Sequence, residues 1–139
     1  MFMSDVSTIM RRMRMFADRS LADQGIGFPE QLVLMHLSAA GTSNQESIAA
    51  QFNLDKGAVA KTIAKLEGKG LVTRQVNPDN KREKRVSLTP AAHEVLASMG
   101  EVLRDLETTM FQGLTQDEID VTCASLARIA ANLTEGQKE

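Results

Sequence analysis

Val6, Ile9, Met10, Met13, Phe16, Ala17 and Leu21 recur three or four residues apart, which predicts an amphipathic first helix. Ser4 is placed to cap its start, and Gly25 and Gly27 to break it. A second helix is expected over Phe28 to Ala40, with Leu32, Val33, Leu34 and Leu37 as its apolar positions, Pro29 in its first turn and Gly41 as its stop. Ser43 and Glu46 have the spacing of a capping box for a third helix ending near Phe52. Asp55 caps a fourth, whose Val59, Ile63 and Leu66 share one face and which Gly70 closes. Leu71 to Val76 and Arg85 to Leu88 read as short strands around the turn Asn77-Pro78-Asp79-Asn80.

Thr89-Pro90 then opens a fifth helix, the hydroxyl placed to cap it and the proline at its first position, and Val95, Leu96, Met99, Val102, Leu103, Leu106 and Met110 form its long apolar stripe. After Gly113, Thr115 and Glu118 form a second capping box, and the last helix carries Ile119, Leu126, Ile129 and Leu133. From Ser43 to Leu88 the order is helix, turn, helix, strand, cationic hairpin tip, strand. That order predicts a winged helix-turn-helix, which reads duplex DNA. The fold class expected is mainly α with a small β-hairpin wing (α+β). Residues 28–89 form the DNA-binding region, and residues 1–27 with 90–139 form a helical region that joins two copies.

The pairing of copies follows from burial. The first, fifth and sixth helices each carry an apolar face, and the small central module cannot cover all three. Each large aliphatic side chain gains roughly 1.5–3 kcal/mol on burial. The economical arrangement is a homodimer, which also presents two reading helices to a pseudo-palindromic operator. A monomeric helical cap over the module is the alternative.

Composition narrows the picture. The 139 residues fit one domain; 42% are hydrophobic, 4% are aromatic and none is Trp or Tyr, so the core is expected to be aliphatic and methionine-rich. The lone Cys123 allows no internal disulfide, which suits a reducing cytoplasm. The N-terminus is interrupted by Asp5 and lacks the apolar run of a secretion signal, and no stretch approaches the ~18 apolar residues of a membrane span. A cytoplasmic protein with no membrane partner is expected.

Charge is distributed unevenly. Between Asp55 and Arg85 there are nine Lys/Arg against four acids, a net of +5, so the remaining chain carries −7 to reach the overall −2. A basic patch on an acidic body is the footprint of one-sided docking on phosphate. With Val59, Ile63 and Leu66 inward, the fourth helix turns Gly57, Lys61, Ala64, Lys65 and Gly68 outward, and places Lys56, Gly57 and Ala58 at its start. A lysine there donates to guanine O6 or N7, or holds a phosphate. Gly57, Ala58 and Ala60 provide no side-chain hydrogen bonds, so readout is expected from Lys61, Thr62, thymine-methyl contacts and DNA shape. Arg74 belongs to the same basic set, and Lys81, Arg82, Lys84 and Arg85 form a wing able to insert an arginine into a narrow minor groove.

Three segments carry a family resemblance: I-A-A-Q-F-N-L-D-K-G-A-V-A-K-T-I-A-K-L-E-G-K-G-L-V-T-R, then N-P-D-N-K-R, then V-S-L-T-P-A-A. In these, and over nearly its whole length, the chain resembles the MarR/SlyA family of bacterial transcriptional regulators. The resemblance implies a homodimer joined by the first, fifth and sixth helices, with the fourth helix in the major groove and the wing in the minor groove. Family wings usually read Asp-x-Arg; Arg82 matches the arginine, whereas Asn80 stands at the aspartate position, next to Asp79. The family commonly has Ser or Thr where this chain has Gly57, Ala58 and Ala60, so operator preference does not carry over. Many members are repressors released by small aromatic or phenolic anions, and Met13, Phe16, Met35 and His36 are the candidates here to line such a crevice. Other members sense oxidants through a cysteine near the first helix. Cys123 lies instead in an apolar stretch of the last helix, where an inert buried thiol is expected.

Enzymatic chemistry is not indicated. His93-Glu94 matches half of a zinc-protease motif, but Ala97 occupies the second histidine position. Two histidines and one cysteine, widely spaced, make neither a triad nor a metal site, and no cofactor is expected. The rival to a DNA-binding regulator is a winged helix that holds a partner protein, against which the lysine-rich patch argues.

Overall fold

The computed structural model describes residues 1–135. Helix α1 (Phe2–Ser20) is followed by a 3₁₀ turn (Ala22–Gln24) and α2 (Phe28–Ala40). Strand β1 (Thr42–Asn44) leads directly into α3 (Gln45–Phe52), then α4 (Lys56–Gly68). The hairpin β2 (Val72–Asn77) and β3 (Asn80–Leu88) precedes α5 (Ala92–Met110) and α6 (Gln116–Glu135). Six α-helices and one three-stranded antiparallel sheet, in the order β1-β3-β2, make up the described residues. This is the mainly helical winged architecture that the apolar spacing predicts. No helix among the described residues is long and apolar enough to cross a membrane.

Packing divides the chain into two compact units, Met1–Leu103 and the remainder from Arg104. In the first unit, Leu34, Leu37, Ile48, Ile63, Leu66 and Val86 are fully buried and join α2, α3, α4 and β3 in one core. Ala92, Val95 and Met99 from the start of α5 belong to the same core. The second unit holds the end of α5 and α6, on which Val121, Leu126 and Leu133 are exposed.

Local chemistry sets the joints. Asp18 Oδ1 accepts the Phe28 N–H at 2.8 Å and Glu30 Oε2 accepts the Gly27 N–H at 3.1 Å, so two acids satisfy the start of α2. Gly25 closes the preceding turn at φ 67°, and a Cβ there would lie 2.7 Å from Lys69 Nζ, which donates to the Gln24 carbonyl at 2.9 Å. Asp55 Oδ2 accepts the Ala58 N–H at 3.1 Å, the cap expected for α4. Thr115 and Glu118 exchange the bonds of a capping box at the start of α6.

Four local expectations are corrected. Helix α1 begins two residues before Ser4, whose hydroxyl donates to the Met1 carbonyl from inside the first turn rather than capping. Ser43 does not cap α3: it lies in β1, and Asn44, one residue on, accepts the Ser47 N–H at 2.7 Å. Asn ranks with the strongest N-caps, and pairing of Asn44 with Arg85 fixes its extended backbone. Thr89 does not cap α5, because its hydroxyl donates to the Gly70 carbonyl at 2.6 Å and the helix starts at Ala92. Strand β3 begins at Asn80 rather than Arg85, so the basic run lies within a strand instead of forming only a tip.

Candidate nucleic-acid interface

Helix α4 turns as its sequence requires. Val59, Ile63 and Leu66 are buried, and Gly57, Lys61, Ala64, Lys65 and Gly68 are exposed. The candidate site residues on it differ in what they are already bonded to. Lys61 has no ion pair among the described residues. Lys56 stands 3.9 Å from Glu46 on α3 with both side chains open to water, a pairing too loose to hold either. Lys65, by contrast, places Nζ 2.8 Å from Glu30 Oε1, a buried carboxylate of α2. Thr62 donates its hydroxyl to the Ala58 carbonyl at 3.0 Å, leaving only acceptor capacity outward. Gly57 and Ala58 at the helix start present backbone without side-chain donors, and a Cβ at Gly57 would meet Asp55 Oδ2 at 2.9 Å.

Arg74 on β2 is half-buried and bonded through all three of its nitrogens. Its Nη2 and Nε reach Glu67 Oε1 and Oε2 at 2.8 and 3.3 Å, and Nη1 reaches Gln45 at 3.4 Å. The hydrogen bond from Arg74 holds the Glu67 carboxyl below its ordinary value, and Glu67 in turn raises the guanidinium. The pair fastens β2 to the last turn of α4 and to α3.

The wing carries the other cations. Strand β3 pairs regularly with β2 from Leu88 to Lys84, after which the register jumps and Asn77 pairs with Asn80. Lys81, Arg82 and Glu83 are therefore bulged out of the β2 ladder. Asn77 Oδ1 accepts the Asp79 N–H at 3.0 Å, and Asn80 Oδ1 accepts the Arg82 N–H at 3.2 Å, forming two successive side-chain turns. Asn80 thus acts on the backbone of Arg82, whose side chain is exposed. Lys81, Lys84 and Arg85 are exposed as well, and none of the four has an ion pair among the described residues.

Glu83 points the other way. Its carboxylate accepts from Asn44 Nδ2 at 2.8 Å and from Asn77 Nδ2 at 3.0 Å, and those two amides hold its pKa below the ordinary value. The sequence pattern singles out neither Asn44 nor Glu83. The legible signal is the Asn44-to-Ser47 interval, which is N-cap spacing. A polar cleft of about 490 Å³ opens between this bracket, the start of α3 and the wing, with Arg74, Arg82 and Lys84 on its walls.

The four candidate effector residues are not gathered into one cavity. Met35 lines an apolar groove of about 260 Å³ with Ser38, Ala39, Leu96, Met99 and Leu103. His36 instead meets the edge of Phe52 at 5.8 Å and places Nε2 3.1 Å from the Ser43 hydroxyl. Met13 and Phe16 lie half-buried on α1. Cys123, expected to be buried, is exposed, because α6 keeps its apolar stripe at the surface of the chain.

A helix-turn-helix followed directly by a cationic β-hairpin defines a winged-helix fold. Residues 29–84 match the model of the MarR family. The chain is similar to a crystal structure of MarR over 96% of its own length and 91% of that chain, at 25% identity and a TM-score of 0.89. It is similar to a MarR transcriptional regulator from Methanosarcina mazei Go1 over 95% and 96%, at 24% identity and a TM-score of 0.86. A mutant MarR from E. coli, complexed with operator DNA, matches over 89% of each chain at 22% identity and a TM-score of 0.79. The central segment therefore resembles the MarR family, and nearly the whole chain has the fold of solved MarR structures.

Proposed function

We propose that the chain is a homodimeric cytoplasmic repressor that binds a pseudo-palindromic operator near its own promoter. In this reading α4 lies in the major groove and the wing lies along the minor groove. The observation that carries it is the sorting of the cations. Lys65 and Arg74 are held by carboxylates, and Lys69 by a carbonyl, whereas Lys61, Lys81, Arg82, Lys84 and Arg85 have no ion pair among the described residues. Exposed, unpaired cations are what a polyanion needs, and each contact to phosphate releases counterions. The operator DNA bound to the E. coli MarR mutant supports DNA as the partner.

Dimerisation is supported by exposed apolar side chains at both ends of the chain. Phe2 is 60% exposed, Val121 66% and Leu133 70%. Side chains of this size are covered by a second copy at a gain of roughly 1.5–3 kcal/mol each. Relief by a small aromatic or phenolic anion is supported by the likeness to the MarR family and by the apolar groove at Met35. Selection of bound sites from a random duplex pool tests the proposal. It predicts two half-sites related by a two-fold, about one helical turn apart, with two chains per duplex. Enrichment of no symmetric site would overturn it.

A further inference from the structure

The wing contains one acid that does not face solvent with the cations. Glu83 lies on β3, the central strand, where the jump in register removes the ladder bonds to β2. Its two carboxylate oxygens replace them, one taking Asn44 of β1 at 2.8 Å and the other Asn77 of β2 at 3.0 Å. Asn77 is almost wholly buried, and Asn44 simultaneously caps α3 through the Ser47 N–H at 2.7 Å. One side chain therefore connects the start of the helix-turn-helix to both strands of the wing. The bulged Lys81 and Arg82 hang directly from that connection.

We propose that Glu83 is a positioning residue for DNA binding: its carboxylate, shared between the Asn44 and Asn77 amides, fixes the wing bulge relative to α3 and α4. The role rests on the DNA-binding reading above. It explains an acid placed among Lys81, Arg82, Lys84 and Arg85, where charge alone would repel phosphate. It also explains how an asparagine at position 80 is tolerated, since Asn80 shapes the backbone of Arg82 while Glu83 anchors the bulge.

The test exploits opposite predictions. Glu83→Gln removes a negative charge, so an electrostatic role alone predicts tighter binding to duplex DNA and a steeper salt dependence. It also sets an amide donor against Asn44 Nδ2, so a positioning role predicts weaker binding, by about tenfold for one lost charge-assisted bond, with a shallower salt slope. The double variant Asn44→Asp with Glu83→Gln has the wild-type net charge and reverses donor and acceptor. The carboxylate it places at position 44 would accept from both the new amide at position 83 and the Ser47 N–H. Binding of a mixed-sequence duplex across a salt series is read alongside the rate of tryptic cleavage after Lys81 and Arg82, which reports wing order without DNA. The expected result is weaker binding and faster cleavage for Glu83→Gln, both restored in the double variant. Unchanged or tighter binding with wild-type cleavage by Glu83→Gln overturns the proposal, as does a double variant no better than the single one. If the wild-type chain binds no duplex, the DNA-binding reading fails on its own, and the cleavage rates alone decide whether the bracket orders the wing.

Discussion

Lys65 of α4 reaches to within 2.8 Å of Glu30 Oε1, a carboxylate that α2 keeps almost wholly out of water. The other oxygen of Glu30 closes the start of α2 by accepting the Gly27 N–H at 3.1 Å. The contact ties the outward-facing helix to the body of the fold, so a lysine on the reading face serves stability. Lys65→Met leaves Glu30 buried without its cation. Since the ammonium itself is half exposed, a loss of about 1–2 kcal/mol is expected rather than the larger figure of a fully buried pair. Urea unfolding measures it, with the slope m unchanged.

Lys61→Ala is expected to show the converse. Lys61 forms no ion pair in the described fold, so stability stays within about 0.5 kcal/mol of wild type. Duplex affinity and sequence preference both fall. Arg82→Ala lowers affinity with less effect on preference and reduces the salt slope by about one. Paired fluorescence titrations on a selected site and a scrambled one separate the two; equal losses on both sites for Lys61→Ala would remove it from readout.

Acid should loosen the wing before the core. A glutamate whose folded pKa lies below its free value of 4.5 stabilises the fold above that pH, and the contribution disappears as pH falls through the lower folded value. Glu83 is such a group, held down first by Asn44 and then by Asn77. Glu67 beside Arg74 is another, so two ties of the hairpin weaken in the same acidic window. Amide signals of Asp79 and Arg82 followed by NMR from neutral pH downward should shift below the free value of 4.5, and Glu83→Gln should abolish the Glu83 component.

Leu126→Asp on α6 tests the two-fold assembly. The side chain is half exposed in the single chain, so the folded protomer tolerates the change. A two-fold interface loses the leucine twice, roughly 1.5–3 kcal/mol each, which raises the dimer dissociation constant by at least about a hundredfold. Sedimentation velocity detects the shift to monomer.

Much of this is legible in the chain. Val59, Ile63 and Leu66 identify the buried side of α4, and Phe28–Ala40 is bounded by its own proline and glycine. The departures share a cause. Ser43, Thr89 and the start of β3 escape the local pattern because long-range bonds decide them: Ser43 and Asn44 pair with Val86 and Arg85, and Thr89 bonds to Gly70. The same holds for the site. The basic face follows from composition, but which cations are free depends on Glu30, Glu67 and the Gln24 carbonyl, partners that local spacing does not reveal. Cys123 belongs by its spacing to an apolar stripe, and the single chain leaves that stripe at its surface.

Binding of duplex DNA by the unpaired cations of α4 and the wing, as proposed above, has a characteristic dependence on salt. Fluorescence anisotropy of a labelled duplex, titrated with the chain at rising salt, measures it. The predicted result is tight binding at low salt that falls linearly on logarithmic axes, with a slope that shrinks by about one for each cation removed. Absence of binding at low salt, or an affinity indifferent to salt and to loss of Lys61 and Arg82, would contradict it.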